Sequence, residues 1–266
     1  MGRQNHLEGK TVFITGATSG IGEEVAYEAA KNGAVVIVSG RREEKLQEVK
    51  RRCEHFSNKP AYAFPLDVTD SDQIEQTVQQ VTATVGVIDV LVNSAGFGET
   101  GEFLESDIQV AQEMFQVNVL GLMYITQLVA IQMAEQQSGH IISISSMAGK
   151  IATPKSAVYS ATKHAVIGFS NALRLELAPL NIAVTTANPG PVRTDFHNRF
   201  DPEGKYLESV DAFVLEPNEV AKKIVRAMGT KKREINQPLV LEGAYRLYTL
   251  APTVGDFLTR TVFNKK

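Results

Sequence analysis

The sequence predicts an α/β chain folded as a doubly wound parallel sheet with helices on both faces. Two observations carry that expectation. Short apolar runs alternate with longer helical patterns along nearly the whole chain. A glycine-rich turn, Thr15-Gly16-Ala17-Thr18-Ser19-Gly20-Ile21-Gly22, joins the first apolar run to the first helical pattern. The 266 residues lie within the range of one large α/β domain. There is no linker, no low-complexity segment and no internal repeat beyond the alternation, so residues 1–266 are expected to form a single domain.

Element by element, Thr11–Thr15 reads as a buried strand and Ile21–Lys31 as a helix closed by Asn32-Gly33. Val35–Ser39 is a second strand, and Arg42–Phe56 a charged helix in which Glu44 and Glu48 face basic residues one turn away. Ala61–Phe64 is a third strand; Asp70-Ser71-Asp72 opens a helix to about Val85. Ile88–Val92 is a fourth strand, nearly continuous in apolar residues. A long helix spans about Asp107–Gln136, with a break near Gly121. Ile141–Ser145 is the fifth strand, Ser156–Leu177 a long helix ended by Pro179, and Ile182–Ala187 the sixth strand. Residues 189–213 lack a period and read as a loop with short helical pieces covering the substrate. Pro217–Met228 is a helix and Pro238–Leu241 a short last strand. Residues 243–266 form an apolar C-terminal extension.

Hydrophobic content of 43% and charged content of 21% are those of an ordinary soluble protein. A net charge of −3 gives no basic field for nucleic acid, and none is expected as a partner. A lone cysteine, Cys53, excludes an intramolecular disulfide and fits a reducing compartment. Met1–His6 carries no apolar run of signal-peptide type, and no stretch approaches the ~20 apolar residues of a spanning helix. The expected location is cytoplasmic.

The glycines at 16, 20 and 22 let the chain turn tightly and bring backbone N–H groups close to a pyrophosphate, with a helix N-terminus facing its charge. The spacing is looser than Gly-x-Gly-x-x-Gly and lacks Gly-Lys-Ser/Thr, which argues against a P-loop. About twenty residues on, an acid commonly holds the ribose 2′-OH. Gly40 stands there instead, followed by Arg41 and Arg42, whose guanidiniums suit a 2′-phosphate. The expected cofactor is NADP(H).

Tyr159 and Lys163, four residues apart on a helix, share one face. A tyrosine hydroxyl titrates near ~10 in model peptides, and a neighbouring ammonium favours its phenolate, which makes it a proton donor and acceptor closer to neutral pH.

In combination these residues resemble the short-chain dehydrogenase/reductase family from about Gly9 to Leu241. Thr15–Gly22 matches its Thr-Gly-x-x-x-Gly-x-Gly turn. Asp67, beside Val68, matches the acid that holds the adenine amino group. Asn93-Ser94-Ala95-Gly96 is similar to its Asn-Asn-Ala-Gly segment, with a serine at the second place. Asn118, Ser146, Tyr159 and Lys163 match its catalytic tetrad, and Pro189-Gly190-Pro191-Val192-Arg193-Thr194 resembles the segment along the nicotinamide. The resemblance implies a Rossmann-like sheet of about seven strands and hydride transfer between a nicotinamide and a carbonyl or alcohol carbon. It also implies a homodimer or homotetramer built through the helices near 107–136 and 155–178. The cofactor contacts implied by turn and resemblance together are Gly16, Thr18, Ser19, Gly20, Ile21, Gly22, Arg41, Arg42, Asp67, Val68, Asn93, Ala95, Gly96, Tyr159, Lys163, Pro189, Gly190, Val192 and Thr194.

The chemistry implied is that Tyr159 exchanges the proton, Ser146 orients the carbonyl oxygen, Lys163 depresses the tyrosine pKa and holds the ribose, and Asn118 positions a water that relays protons to Lys163. Ser145 is the rival of Ser146 but would point the other way. His164 faces elsewhere on the helix, and His6, His55, His140 and His197 show no metal-ligand spacing. Met147, Thr153 and Pro154 are expected near the serine and tyrosine, with Phe196, Phe200, Tyr206 and Phe213 in the covering loop; together they suggest a bulky, apolar small-molecule carbonyl or alcohol substrate. The tail Tyr245–Phe263 packs on a partner, closes the pocket or contacts a membrane surface, packing being the favoured option. The alternative function is a non-catalytic nicotinamide-nucleotide-binding regulator or sensor, which has no need of the proton-handling residues. Epimerase or dehydratase chemistry is disfavoured without a longer C-terminal substrate domain. The ending Leu239-Val240-Leu241-Glu242-Gly243 differs from the Asp-Gly-Gly ending of the family's acyl-carrier-protein reductases and argues against that role.

Overall fold

Alternation within each strand divides the core in two. Val12 and Ile14 of the first strand enter one apolar cluster, while Phe13 between them enters the other. In the computed structural model, which describes residues 6–201, 207–208 and 210–261, seven parallel strands form a single sheet in the order β3-β2-β1-β4-β5-β6-β7. They are β1 (Thr11–Thr15), β2 (Val35–Gly40), β3 (Ala61–Pro65), β4 (Val90–Asn93), β5 (Gly139–Ile144), β6 (Ile182–Pro189) and β7 (Glu234–Gln237). Residues Val12 to Thr15 pair with Val36 to Ser39 on one side and with Val90 to Asn93 on the other. Helices α1 (Gly20–Lys31), α2 (Glu43–Ser57) and α8 (Pro217–Ala227) cover one face through Val25, Leu46 and Val220. Helices α3 (Ser71–Val85), α5 (Leu122–Glu135) and α6 (Ala157–Leu177) cover the other, through Val78, Ile125 and Leu173 among others. The chain winds outward in opposite directions from β1 and β4, so a crevice opens beyond their C-terminal ends.

The break expected near Gly121 is a π-helical turn, Gln116–Gly121, between α4 (Ile108–Phe115) and α5. A Cβ on Gly121 would stand 2.1 Å from the Val68 carbonyl oxygen. The helix therefore passes against that backbone at a distance only glycine allows, and the wider turn rotates Asn118 into the interior.

Two expectations need correction. The last strand is Glu234–Gln237, one step upstream of Pro238–Leu241. Proline lacks the N–H that a parallel ladder requires, so Pro238 instead precedes helix α9 (Leu239–Leu250), and the apolar triplet Leu239-Val240-Leu241 is its first turn. A short apolar run reads the same for a strand and for a helix, and the true strand alternates buried Ile235 and Gln237 with half-buried neighbours. The second correction concerns Ile108–Glu135. This helix contains an 18-residue window with a mean hydropathy of 1.6 and is long and apolar enough to cross a membrane. Half of that window is buried in the protein, as in a core helix. Here Ile125, Val129 and Met133 pack on the sheet.

The described part of the C-terminal extension, up to Thr261, is helical. Helix α9 and a following helix α10 (Pro252–Thr261) pair through Gly255, which lies under the Tyr248 ring, and through the Tyr248 hydroxyl, which donates to Asp256 at 2.6 Å. The loop after β6 holds a short helix α7 (His197–Phe200). Tyr206 and Phe263 lie outside the described residues.

His140, on β5, is locked into one tautomer. Its Nδ1 accepts from the Gly229 amide at 3.1 Å, so Nε2 carries the proton and donates to Thr185 Oγ1 at 2.8 Å. Thr185 in turn donates to the Lys232 carbonyl. A second ring proton would face the Gly229 N–H, and burial holds the His140 pKa down at about 4, against 6.5 when solvated. The unfolded chain therefore binds the extra proton first, and stability falls as pH drops below 6.5. Chemical denaturation should show a loss of about 3 kcal/mol from this residue between pH 7 and pH 4. His140→Gln should flatten that part of the slope; an unchanged slope would count against the buried neutral ring.

Candidate active site

At the crevice the ends of β1 and β4 are fastened to each other. Thr15 Oγ1 accepts from the amides of Ser94 and Ala95 at 3.1 and 3.2 Å. Gly16 has φ of +64°, and a Cβ there would stand 2.6 Å from Ala95 Cα. Both its conformation and its neighbour thus require glycine. Gly20 opens α1 with φ of +59° against the Thr194 side chain. Ser19 is the N-cap residue in extended conformation, with no hydrogen bond from its own side chain to the helix. The first amides of α1 are therefore left for an anion. Ser19, Gly20 and Ile21 line the cavity there, as do Gly16 and Thr18. Gly22 does not; a Cβ on it would meet the Gly16 carbonyl oxygen at 2.5 Å, so it serves the packing of turn on helix.

Beyond the turn the cavity, about 1430 Å³ in volume, runs over Gly40, Arg41, Arg42, Asp67 and Val68. Arg42 already has partners: its Nη2 donates to the Thr18 carbonyl at 2.9 Å and to Thr18 Oγ1 at 3.0 Å. This fixes a guanidinium over the turn with donors to spare. Arg41 is exposed. Asp67 accepts from the amide and hydroxyl of Thr69 at 2.9 and 2.8 Å, which orients the carboxylate at the rim. Asn93 is set beneath the surface, its amide donating to Thr126 Oγ1 at 2.8 Å, while Ser94, Ala95 and Gly96 reach the cavity.

Ser146, Tyr159 and Lys163 line one wall of the same cavity. Ser146 follows β5 in extended conformation; its Oγ accepts from the Ala148 amide at 3.1 Å and makes only a long donation, 3.4 Å, to the Pro189 carbonyl. Ser145 turns the opposite way and donates to the Lys163 carbonyl at 3.0 Å. Lys163 is buried, with Nζ donating to the Ile144 carbonyl at 3.1 Å and lying 5.7 Å from the centre of the Tyr159 ring. Burial lowers its pKa to about 8 from 10.5. Asn118 does not line the cavity. Its Oδ1 accepts from the Phe97 amide at 3.0 Å, and its Nδ2 donates to the Phe97 carbonyl at 2.8 Å and to Thr162 Oγ1 at 3.1 Å. One amide hydrogen thus holds the Phe97 backbone and the other ties Asn118 to Thr162 on α6. Gly96 separates the two groups: a Cβ on it would be 3.0 Å from Asn118 Oδ1 and 3.7 Å from Lys163 Nζ.

The other end of the cavity is aromatic and aliphatic. The Tyr159 ring packs on Phe196 at 5.7 Å and edge-on to Phe200 at 5.2 Å. Gly98 lets these three rings close over it; a Cβ there would stand 2.8 Å from each. Met147, Thr153 and Phe213 also line the cavity, whereas Pro154 does not. Pro189, Gly190, Val192 and Thr194 continue the lining from the end of β6. Sequence reasoning missed Phe97, Ile151 and most of the C-terminal helices. Val240, Ala244, Leu247, Ala251, Val254 and Leu258 all line the cavity. Their three- and four-residue spacing is a helical stripe that would have revealed this wall. Of the three roles considered for the tail, closing the pocket is the one its position matches.

His197 lines the cavity, whereas His164 and Cys53 lie apart from it. His164 Nδ1 is 2.9 Å from the Ser160 carbonyl of its own helix. Cys53 is buried, and burial pushes its thiol up to about 12, which leaves it inert. Among the described residues no His, Cys, Asp and Glu side chains gather as metal ligands would.

Comparison with known proteins agrees with this geometry. The family model described as short chain dehydrogenase matches residues 10–204. A "Dehydrogenase/reductase SDR family protein 7-like" of Anopheles gambiae is 34% identical over 258 residues, covering 94% of this chain and 81% of its own. A short-chain type dehydrogenase/reductase from Mycobacterium marinum superposes with a TM-score of 0.80 at 29% identity, over 86% of this chain and 94% of that one. An actinorhodin polyketide ketoreductase solved with NADPH gives a TM-score of 0.77 at 30% identity, over 86% of this chain and 95% of that one. The chain belongs to the short-chain dehydrogenase/reductase family of oxidoreductases.

Proposed function

We propose that the protein is an NADP(H)-dependent oxidoreductase that interconverts a bulky apolar carbonyl compound and its alcohol, with Tyr159 as acid and base. One observation carries the reading. A serine hydroxyl, a tyrosine and a buried lysine face a single cavity that also takes in the glycine turn, the start of α1 and two arginines. That cavity exceeds the ~300–1,000 Å³ of an ordinary ligand pocket and suits a dinucleotide together with a substrate. The residues fit the cofactor: free amides at the start of α1 for the pyrophosphate, Arg41 and Arg42 for a 2′-phosphate, Asp67 for the adenine amino group. The ketoreductase solved with NADPH supports the same choice by similarity.

When bound, the nicotinamide supplies or takes the hydride. The protein's own part is to hold the oxygen and move the proton. Ser146, whose hydroxyl hydrogen is only loosely held by Pro189, is free to donate to the substrate oxygen and orient it. In reduction Tyr159 gives its proton to that oxygen as negative charge develops there; in oxidation it takes the proton back. Lys163 lends positive charge to the tyrosinate formed in between. Asn118 holds the Gly96-Phe97 backbone beside Lys163. The rings of Phe196 and Phe200 exclude water from Tyr159 and favour an apolar substrate.

Lys163 bears on the alternative reading, a sensor that binds nucleotide without catalysis. Its depressed pKa means that the charged form is disfavoured in the fold by about 3 kcal/mol at neutral pH. Holding a ribose alone does not call for a buried lysine set beside a tyrosine and a serine, whereas proton transfer does. The cost is present in full below pH 8 and gone above 10.5, because the unfolded chain holds the proton longer. Lys163→Met should therefore melt higher than the parent at pH 7, by on the order of 1–3 kcal/mol, while losing turnover; the gain should shrink toward pH 10. A variant less stable at neutral pH would contradict the assignment.

NADPH consumption with a panel of ketones, aldehydes, diketones and quinones tests the activity itself. Tyr159→Phe should lower kcat by about a hundredfold or more while changing NADPH affinity far less. Full activity in that variant would sink the mechanism. Removing both guanidiniums, Arg41→Ala with Arg42→Ala, should cut the preference for NADPH over NADH about tenfold or more. Equal use of the two cofactors by the unaltered protein would overturn the arginine argument.

A further inference from the structure

Lys150 is a buried lysine that the reaction does not use. It comes four residues after Ser146, is 8% exposed and does not line the cavity. Its Nζ lies 2.5 Å from Glu234 Oε2 on β7, 3.6 Å from Glu242 Oε2 on α9 and 4.6 Å from the centre of the Tyr245 ring, also on α9. The remaining charges around it are accounted for. Arg246 takes the other oxygen of Glu242 at 3.1 Å, and Arg233 lies 3.8 Å from the other oxygen of Glu234. One ammonium therefore joins the segment carrying Ser146, the last strand and the C-terminal helix.

Helix α9 has need of such a tie. None of its side chains is buried, and Leu239, Leu247 and Leu250 are 80%, 70% and 82% exposed. Apolar packing cannot fix a helix that buries so little. Its other end is tied to α10 by Tyr248, Gly255 and Asp256, so the two helices hold together while their attachment to the body gathers at the start of α9. There Leu241 touches Gly190, and Glu242 and Tyr245 meet Lys150. The Lys150 side also reaches the loop along the cavity: Glu234 Oε2 accepts from Asn236 at 3.0 Å, and Asn236 accepts from Asn188 at 2.7 Å, next to Pro189.

We propose that Lys150 is a positioning residue that pins the α9–α10 wall to the segment bearing Ser146 and thereby determines which bulky substrates are turned over. The inference rests on the oxidoreductase reading for its effect on substrates, but the pin itself does not. Near the reacting atoms the site is closed by Tyr159, Phe196 and Phe200. Only a substrate long enough to reach Leu247 and Val254 meets the wall that Lys150 holds.

The test uses the full chain with Lys150→Met, and with Glu242→Gln as a milder variant that keeps the Lys150–Glu234 pair should the first fail to fold. Hydrogen–deuterium exchange is followed by peptide, and kinetics are compared for two α-diketones that differ in bulk, 2,3-butanedione and benzil. Lys150→Met should speed exchange in residues 239–258 and leave residues 11–40 unchanged. It should raise KM for benzil about tenfold while moving kcat/KM for butanedione by no more than about twofold. Glu242→Gln should shift both readouts in the same direction by less. Unchanged exchange in 239–258 would overturn the pin, and an equal loss for the two diketones would overturn its role in substrate choice. A parent protein inert toward both diketones would count against the oxidoreductase reading, with exchange still deciding the pin.

Discussion

The contact on which the rest of the structure depends is the backbone approach between the turn after β1 and the segment after β4. Thr15 Oγ1 gathers the amides of Ser94 and Ala95, and Gly16 lies so near Ala95 that no side chain fits between them. The doubly wound topology reverses at this seam, and a parallel sheet that reverses there must leave a crevice at its carboxyl edge. The contact fixes the depth of the crevice. It also sets the start of α1 facing in from one side and Gly96, backed by Asn118 and Lys163, from the other.

Several features remote in sequence serve this seam. Gly121 brings the long helix against the Val68 carbonyl, and the π-helical turn it ends rotates Asn118 inward. Asn118 then clamps Phe97 by both its amide and its carbonyl. Ser145 and Gly149 bind the loop after β5 to the Lys163 backbone, one by a hydrogen bond and the other by a distance that excludes Cβ. A hydroxyl on a loop and an ammonium on a helix are thus brought to one wall by backbone contacts on either side of them. Side chains set this way need no induced order when a ligand arrives.

The sequence revealed the parts of this arrangement that backbone chemistry dictates. Gly16 and Gly20 need positive φ, and only glycine meets that need cheaply, so the turn stands out in the letters. The strands β1, β2 and β4, sandwiched between helices, are near-continuous apolar runs, and these too stand out. Where the sequence misled, a different force was at work. Strand β7 carries Glu234 and Asn236, whose side chains make polar contacts at the edge of the site, and a buried Gln237, so its apolar signal is weak. The apolar triplet that follows belongs to a helix. Asn93 and Gly22 belong to recognisable motifs, yet they act from beneath the surface, a distinction that only packing makes. Pro154 shows the opposite error: nearness in sequence to Thr153 did not bring it to the cavity.

This difference follows the division of labour within the cavity. The dinucleotide half, in the function proposed, is held by amides, glycines and a few charges whose spacing the fold imposes. That half can hardly vary without losing the turn. The substrate half is made of side chains from a loop and from two helices that bury almost nothing of their own. Its demands are volume and apolarity, which many residues satisfy, so its letters carry little signal. Such a wall is cheap to alter and hard to hold in place. A buried lysine shared between two carboxylates answers the second difficulty, since a charged pair kept from water resists separation more strongly than scattered apolar contacts at an open rim. The wall can then change in shape without changing in attachment, and a fixed reaction centre can face different substrates.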